Sequence, residues 1–183
     1  MHKYTTNLSA GGFRQLANDI RKYRLELQKK CDEFTRQLAE DGVAIAKANI
    51  LSEDAIYTGE LLNSMNIKPG DVIVNGASYH IYTACPWAKF VEFGTGIVGK
   101  DNPHPDISIV GWRYDVNEHG EKGWFYFKNG KWHWTKGMPS RPFMYNTASA
   151  LRNTETITRI ARRVFGEDLC IKQSIYQCKN IYQ

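Results

Sequence analysis

The sequence predicts an α+β fold, in which a long N-terminal helix and a C-terminal helix pack on an antiparallel sheet with a projecting aromatic β-hairpin. Three observations carry this prediction: an apolar stripe at helical spacing near the start, two aromatic runs around Asn129-Gly130, and a second helical pattern after Pro142. At 183 residues the chain can bury about 70% of its unfolded surface. We therefore expect one domain over residues 1–166, followed by a tail over residues 167–183 whose order the pattern leaves open.

The first helix is predicted from about residue 12 to residue 50. Its apolar positions recur at steps of three and four, with charged residues on the opposite side. They are Phe13, Leu16, Ile20, Tyr23, Leu27, Cys31, Phe34 and Leu38. Ser9 is placed to cap the helix. Nearly 40 residues is longer than an ordinary globular helix, which points to packing of part of it on another subunit.

Short elements are predicted in the next stretch. Glu60–Met65 has room for one or two helical turns, and Asp71–Val74 has strand character before the turn residues Asn75-Gly76. Tyr79–Thr83 continues the strand pattern. Trp87–Phe93 carries aromatic residues at helical spacing, which predicts a short helix or turn.

The aromatic hairpin is the clearest local prediction. Asn129-Gly130 favours a type I′ turn, whose twist matches that of the flanking strands. We expect Phe125, Phe127, Trp132 and Trp134 to pair across the strands. The hairpin residues that could contact a partner are Trp124, Tyr126, Asn129, Gly130, Trp132 and Trp134. Trp112, Tyr114 and Val116 alternate in the same way and could supply a third strand.

A C-terminal helix is predicted from Pro142 onward. Proline suits the first helical position, and Ser140 is near enough to cap the helix. One apolar stripe is marked by Met144, Ala148 and Leu151, and its continuation by Ile157, Ile160, Ala161, Val164 and Phe165. Gly166 follows at the position where glycine commonly ends a helix.

Charge is unevenly distributed along the chain. The net charge is +5, and it divides into +3 for residues 1–50, −3 for residues 51–135 and +5 for residues 136–183. The simplest interpretation is a solvated helix surface. Basic ends could also lie near nucleic acid, or meet the acidic middle of a neighbouring copy. No apolar run is long enough to span a membrane and no signal segment opens the chain, so a soluble protein is expected.

No motif of an enzyme or a cofactor site stands out. The four cysteines show no metal-ligand spacing, and reduced thiols are the default expectation. Gly94–Gly99 has the glycine spacing of a dinucleotide-binding loop. Such a loop must open a helix, whereas further loop is expected after Gly99, so the match is one of sequence only. Five residues could gather around a metal, although their spacing does not require it: Glu92, His104, Asp106, Asp115 and His119. We expect no enzyme activity and no cofactor.

The aromatic and basic segment from Trp124 to Lys136 has two interpretations. Exposed aromatic rings between Lys128, Lys131 and Lys136 could stack on the bases of a nucleic acid. Aromatic residues at strand spacing more often bury one another in a sheet or an interface. The second interpretation is favoured.

Three segments in order resemble one protein family. They are Tyr57-Thr58-Gly59-Glu60-Leu61-Leu62-Asn63-Ser64-Met65, Trp87-Ala88-Lys89-Phe90-Val91-Glu92-Phe93-Gly94-Thr95-Gly96 and Thr135-Lys136-Gly137-Met138-Pro139-Ser140-Arg141-Pro142-Phe143-Met144. Together they resemble the tail-component family of tailed bacteriophages, the small neck proteins called tail-completion, head–tail joining or minor structural proteins. The resemblance covers about residues 12–165.

The resemblance implies a non-enzymatic structural protein located in the virion neck or tail, and in the host cytoplasm during assembly. Such proteins form rings, here of about six copies, and contact portal-side connectors and tail terminator or tube proteins. Phage DNA would lie close by, and no membrane partner is implied.

The same resemblance marks a set of motif residues for structure and assembly. They are Glu92, Phe93, Gly94, Thr95, Gly96, Arg141, Pro142 and Phe143. An Arg141–Glu92 pair is the expected contact, because arginine binds carboxylates with two hydrogen bonds. Phe143 is expected to anchor the last helix on the sheet.

Overall fold

The α+β prediction is confirmed in a computed structural model of the chain, which describes residues 4–55, 59–71, 76–106, 111–115, 118 and 122–166. The helices are α1 (Ala10–Ser52), α2 (Glu60–Ser64), α3 (Ala88–Phe93), α4 (Gly96–Asp101), α5 (Phe143–Leu151) and α6 (Thr154–Phe165). The strands are β1 (Asn66–Pro69), β2 (Tyr79–Tyr82), β3 (Trp124–Lys128), β4 (Lys131–Thr135) and β5 (Gly137–Met138). Within these ranges, no helix has the length and apolar character that crossing a membrane requires. The tail expected over residues 167–183 lies outside the described residues.

The antiparallel pairing is divided between two small sheets instead of one. Among the described residues, β1 pairs with β2 and β3 pairs with β4. The third strand expected at Trp112 and Tyr114 is irregular chain, and Val116 lies outside the described residues. The side chain of Trp112 instead packs on Phe90 and Phe93.

The first sheet begins at Asn66, within one residue of Ile67, where the sequence pattern predicts that the β region starts. β1 covers Asn66–Pro69, whereas most of the predicted strand Asp71–Val74 and its turn residue Asn75 lie outside the described residues. Pro69 is the last residue of β1, an edge strand of its two-stranded sheet, where a missing backbone N–H is tolerated. β2 agrees with the prediction at Tyr79–Thr83 to within one residue.

The described residues group into two compact units, and α1 contributes to both. One unit draws on residues 4–39, 69–71, 76–80 and 153–166, and the other on residues 40–55, 59–68, 81–106, 111–115, 118 and 122–152. In the first, the rings of Phe34 and Phe165 lie 5.9 Å apart, and the Tyr79 hydroxyl donates to the Asp32 carboxylate at 3.2 Å. Ile160 of α6 is fully buried.

The ends of the long helices follow from their caps. The Ser9 hydroxyl accepts a hydrogen bond from the Gly12 N–H at 3.0 Å, which confirms the predicted cap of α1. The expected unbroken C-terminal helix is wrong, because Asn153 adopts an extended backbone and its side chain accepts from the Glu155 N–H at 2.8 Å. Asparagine therefore starts α6 rather than continuing α5. Gly166 ends α6 as predicted.

The second unit has a hydrophobic core built from four of the helices and three connecting segments. Its buried members are Ala46, Ile50, Ala55, Leu61, Met65, Cys85, Ala88 and Phe143. Phe143, only 1% exposed, anchors α5 in this core as expected, and Ile81 of β2 is among the residues that pack against the core.

The hairpin prediction is confirmed in detail. β3 and β4 pair antiparallel, with Phe125 opposite Trp134 and Phe127 opposite Trp132. Asn129 and Gly130 have φ values of 50° and 75°. Positive φ at both central residues is what a type I′ turn requires.

Candidate functional site

The three segments that carry the family resemblance meet in the second unit. Leu61 and Met65 of the first segment, Ala88 of the second and Phe143 of the third all belong to its core. Apolar burial thus brings together stretches that are far apart in the sequence. The polar groups of the second and third segments are joined just beside this core.

Glu92, at the end of α3, is the polar centre of this region and is only 7% exposed. Its carboxylate accepts hydrogen bonds from the backbone N–H groups of Met144 at 2.9 Å and Tyr145 at 3.0 Å. These groups belong to the first turn of α5, where backbone donors have no partner within the helix. A carboxylate there also interacts favourably with the positive end of the helix dipole. Glu92 therefore caps α5 from a distant part of the chain.

The expected pairing of Glu92 with Arg141 is wrong. Arg141 contacts the second segment through its backbone instead, since its N–H donates to the Val91 carbonyl at 2.9 Å. Ser140 does not cap α5 either, because its hydroxyl donates to the Glu92 carbonyl at 2.6 Å. Glu92 occupies the capping position, which leaves Ser140 and Arg141 to fix the chain that enters the helix.

His104 is the third partner of the Glu92 carboxylate. Its Nε2 lies 3.1 Å from Glu92 Oε1, and its Nδ1 accepts from the Asp106 N–H at 3.1 Å. Because Nδ1 acts as an acceptor, we assign the ring proton to Nε2, which donates to Glu92. Of the five metal candidates, the structure thus joins Glu92 and His104 by a hydrogen bond, while His119 lies outside the described residues. No metal-binding group of three or more such side chains occurs among the residues that can be described.

Aromatic rings surround this polar pair. The Phe93 ring lies 5.0 Å from both His104 and Trp112, and Tyr145 meets His104 edge-on at 5.3 Å. The indole N–H of Trp112 donates to the Gly94 carbonyl at 3.0 Å. No spacing pattern in the sequence pointed to this role for Trp112, and His104 was indicated only as a candidate metal ligand. The role of His104 follows instead from the burial of Glu92, because a buried carboxylate needs hydrogen-bond donors.

The turn after Glu92 is held against the third segment. Thr95 and Gly96 form antiparallel bridges with Met138 and Gly137. At Gly94, φ is 77°, and a Cβ there would lie 2.7 Å from the Ser140 nitrogen. Glycine is required at Gly94 both by its backbone conformation and by this close approach. A short helix, α4, follows this turn where a loop was expected.

Glu53, just after α1, belongs to the same unit and is half-buried. Burial raises the pKa of its carboxyl, and the charge of Glu92 adds to the rise. The hydrogen bond from the Asn146 amide at 2.7 Å and the charge of Arg141 oppose it. The other carboxyl oxygen of Glu53 is buried without a hydrogen-bond partner. Arg141 is thus linked electrostatically to Glu53.

A cleft of about 610 Å³ lies within this unit, and all three family segments contribute to its walls. It is mainly apolar and aromatic. Representative lining residues are Leu62 from the first segment, Trp87 and Phe90 from the second, Met138 and Arg141 from the third, and Trp124 and Tyr126 from the hairpin. Trp87 is fixed by a hydrogen bond from its indole N–H to the Glu60 carboxylate at 3.0 Å. We take this cleft, with the capping cluster at Glu92, as the candidate functional site.

The hairpin residues expected to contact partners divide between two faces. Trp124 and Tyr126 line the cleft, whereas Trp132 and Trp134 lie on the opposite face. On that opposite face four aromatic side chains remain 50–68% exposed, although they pack edge-to-face in two pairs. They are Phe125, Phe127, Trp132 and Trp134. These four rings contact one another in pairs and still face solvent.

Comparison with known proteins identifies no relative. No protein-family profile, no curated protein and no solved structure matches this chain.

Proposed function

We propose that the chain is a non-enzymatic structural protein of a tailed-phage virion, which completes or joins the tail at the head–tail interface by assembling into a ring. The proposal starts from the resemblance of three segments to phage neck proteins. One structural observation supports it most. The three segments converge on one core and one cleft, and the side chain of Glu92 in the second segment caps the helix that begins in the third.

This convergence matters because short motifs often match by chance. Chance matches have no reason to lie together in the folded chain. Here the second and third segments share backbone bridges at Thr95–Met138 and Gly96–Gly137, and the first packs Leu61 into the common core. The motif residues thus define one structural unit, as expected if they derive from one ancestral fold.

The charge distribution suits assembly into a closed ring. A ring needs two different surfaces on each copy that meet head to tail. The acidic middle of the chain and its basic ends provide opposite charges for such contacts. Portal-side connectors and tail terminator or tube proteins are the expected partners, and the basic residues would tolerate DNA passing through the ring.

A conditional nonsense allele in the phage that encodes the chain tests this function. Without the protein we expect DNA-filled heads and separate tails by electron microscopy, and joined particles again when the wild-type chain is supplied from a plasmid. Infectious, joined virions formed without the protein would rule the proposal out. Light scattering and negative-stain imaging over a concentration series would then look directly for rings of about six copies.

A second function, binding of single-stranded nucleic acid, is favoured by one observation. The four exposed rings on one hairpin face lie next to a turn flanked by Lys128 and Lys131. Stacking of bases on such rings contributes about 1–3 kcal/mol per base. Fluorescence anisotropy with a labelled oligothymidine, titrated with salt, measures it. Trp132→Ala on the exposed face should weaken binding about 5- to 150-fold, whereas Trp124→Ala on the cleft face is the matched control. Unchanged affinity in Trp132→Ala would eliminate this function.

A further inference from the structure

The N-terminal half of α1 presents an apolar face that the described chain leaves largely uncovered. We call it the α1 seam, and it consists of Phe13, Leu16, Ile20, Tyr23 and Leu27. Every member except Leu16 is between 38% and 53% exposed. The Tyr4 ring contacts Tyr23 at 6.3 Å, yet Tyr23 keeps an exposed surface. Further along α1, Phe34 does have a partner in Phe165 of α6.

A helix in this situation needs a partner. Most helical stability in proteins comes from packing an apolar face. Residues 11–30 of α1 are exposed or half-exposed on every side. The regular steps of the seam, alternately three and four, are those of a coiled-coil repeat.

We propose that the α1 seam is a self-association surface, which packs in parallel and in register against the α1 seam of a second copy of this chain. In the seven-residue repeat, Phe13, Ile20 and Leu27 occupy position a, and Leu16 and Tyr23 occupy position d. Such a repeat is complementary to itself, because the side chains of each helix fill the spaces between those of the other.

Charge selects the parallel orientation. Asp19 stands at position g and Arg24 at the following position e. In a parallel, in-register pair, a g residue lies beside the e residue five positions later on the partner helix. Asp19 of each copy then meets the oppositely charged Arg24 of the other, once on each side of the seam.

The repeat also gives the surface a defined end. After Leu27 the apolar residues step by four to Cys31 and then continue to Phe34, so the seven-residue pattern is interrupted there. Phe34 already packs within its own chain on Phe165. The self-association surface therefore spans Phe13 to Leu27, about four turns of helix.

A pair of glutamate substitutions on the full-length chain tests the proposal. Ile20→Glu places a charge in the seam, and Leu25→Glu makes the same kind of change on the same helix at position f, away from the seam. The two side chains are similarly exposed, at 50% and 59%. By light scattering and sedimentation, we expect self-association to weaken at least tenfold in Ile20→Glu and to stay unchanged in Leu25→Glu. A wild-type chain that is monomeric throughout, or equal effects of the two changes, would overturn the proposal.

Cysteine cross-linking tests the orientation and does not depend on the effect of an added charge. Cys31, Cys170 and Cys178 are replaced by serine, and buried Cys85 is kept. A single cysteine at Ile20→Cys should then give a disulfide-linked dimer under mild oxidation, and one at Leu25→Cys should not. No link at position 20, with self-association intact, would overturn the parallel, in-register arrangement.

The residues after Gly166 are the competing occupant of the seam. If they covered it within one chain, truncation after Gly166 would increase association, and that result counts against the proposal. The inference is separable from the proposed virion role. Dimers that form no rings would support self-association through the α1 seam and weigh against the neck function. Rings that persist in Ile20→Glu would support the neck function and weigh against the α1 seam.

Discussion

His104 donates its Nε2–H to Glu92 Oε1 across 3.1 Å, and both side chains are more than nine-tenths buried. The same carboxylate accepts the Met144 and Tyr145 N–H groups. One side chain thus connects α3, the segment that contains His104 and the start of α5. Because all of its contacts lie inside the unit, the carboxylate acts as a structural clamp.

The clamp predicts a large loss of stability in Glu92→Ala. Three buried donors would lose their acceptor, and we expect the free energy of unfolding to fall by about 3 kcal/mol or more. Glu92→Gln keeps one acceptor oxygen and should cost less. Urea denaturation followed by circular dichroism measures both. Lys89→Ala, at an exposed position on the same helix, is the control and should change stability by less than about 0.5 kcal/mol. Equal stability of Glu92→Ala and Lys89→Ala would refute the clamp.

Glu53 predicts a pH-dependent stability. Its pKa is raised in the folded chain, mainly by burial, so the folded state binds this proton more tightly than the unfolded state. The stabilisation that protonated Glu53 contributes is complete below the pKa of this carboxyl in the unfolded chain. It is lost as the pH rises through its pKa in the folded chain. Glu53→Gln, which imitates the protonated form, should therefore raise the urea midpoint at pH 7–8.

The advantage of Glu53→Gln should disappear as the pH falls toward about 4, where an unfolded glutamate also holds its proton. Glu26→Gln, on the exposed part of α1, controls for the loss of one negative charge. A gain for Glu53→Gln that is the same at all pH values would contradict the assigned burial effect.

Gly94 and Gly166 offer a matched test of close packing. Their backbones are nearly the same, with φ 77° and ψ 167° at Gly94 and φ 83° and ψ 176° at Gly166. A Cβ at Gly94 would meet the Ser140 nitrogen and the Met138 carbonyl within 3 Å, whereas one at Gly166 would meet nothing within 4 Å. Both alanine variants carry the backbone strain, and only Gly94→Ala adds a clash.

We therefore expect Gly94→Ala to be about 1–3 kcal/mol less stable than Gly166→Ala. Thermal and urea unfolding of the two variants in parallel measure the difference. Equal losses in the free energy of unfolding would show that residues 94–96 and 137–140 pack less closely than described.

The break between α5 and α6 predicts the effect of changing Asn153. Its side chain accepts from the Glu155 N–H at 2.8 Å, so Asn153→Ala should cost about 1 kcal/mol. Asn153→Asp keeps the acceptor and should retain stability. Urea midpoints of the two variants compare them directly, and a neutral Asn153→Ala would show that α6 does not depend on this cap.

Elements with a local signal could be predicted from the sequence. The long stripe of α1, the Ser9 cap and the Asn129-Gly130 turn each depend on residues within a few positions of one another. Asn153 shows the limit of such reasoning. The apolar stripe passes through it, and periodicity alone predicts one helix where a capping side chain starts a second.

The capping cluster could be predicted only in part. Family resemblance pointed to Glu92 and Arg141, but the choice of hydrogen-bond partner depends on which donors the fold brings close. Backbone N–H groups at the start of α5 lack any sequence signature. Because Pro142 sets the helix start one residue later than expected, the donors fall at Met144 and Tyr145, beside Glu92.

The backbone bridges from Thr95 to Met138 and from Gly96 to Gly137 bring together the two ends of the chain segment between them. Lengthening a loop that is already closed costs entropy only as the logarithm of its length. At the hairpin tip, a Cβ added to Gly130 would meet nothing within 4 Å. A fluorophore or a short affinity tag inserted at Asn129-Gly130 should therefore leave the hydrogen bonds of Glu92 to α5 in place. The tagged hairpin would then report on assembly of the chain.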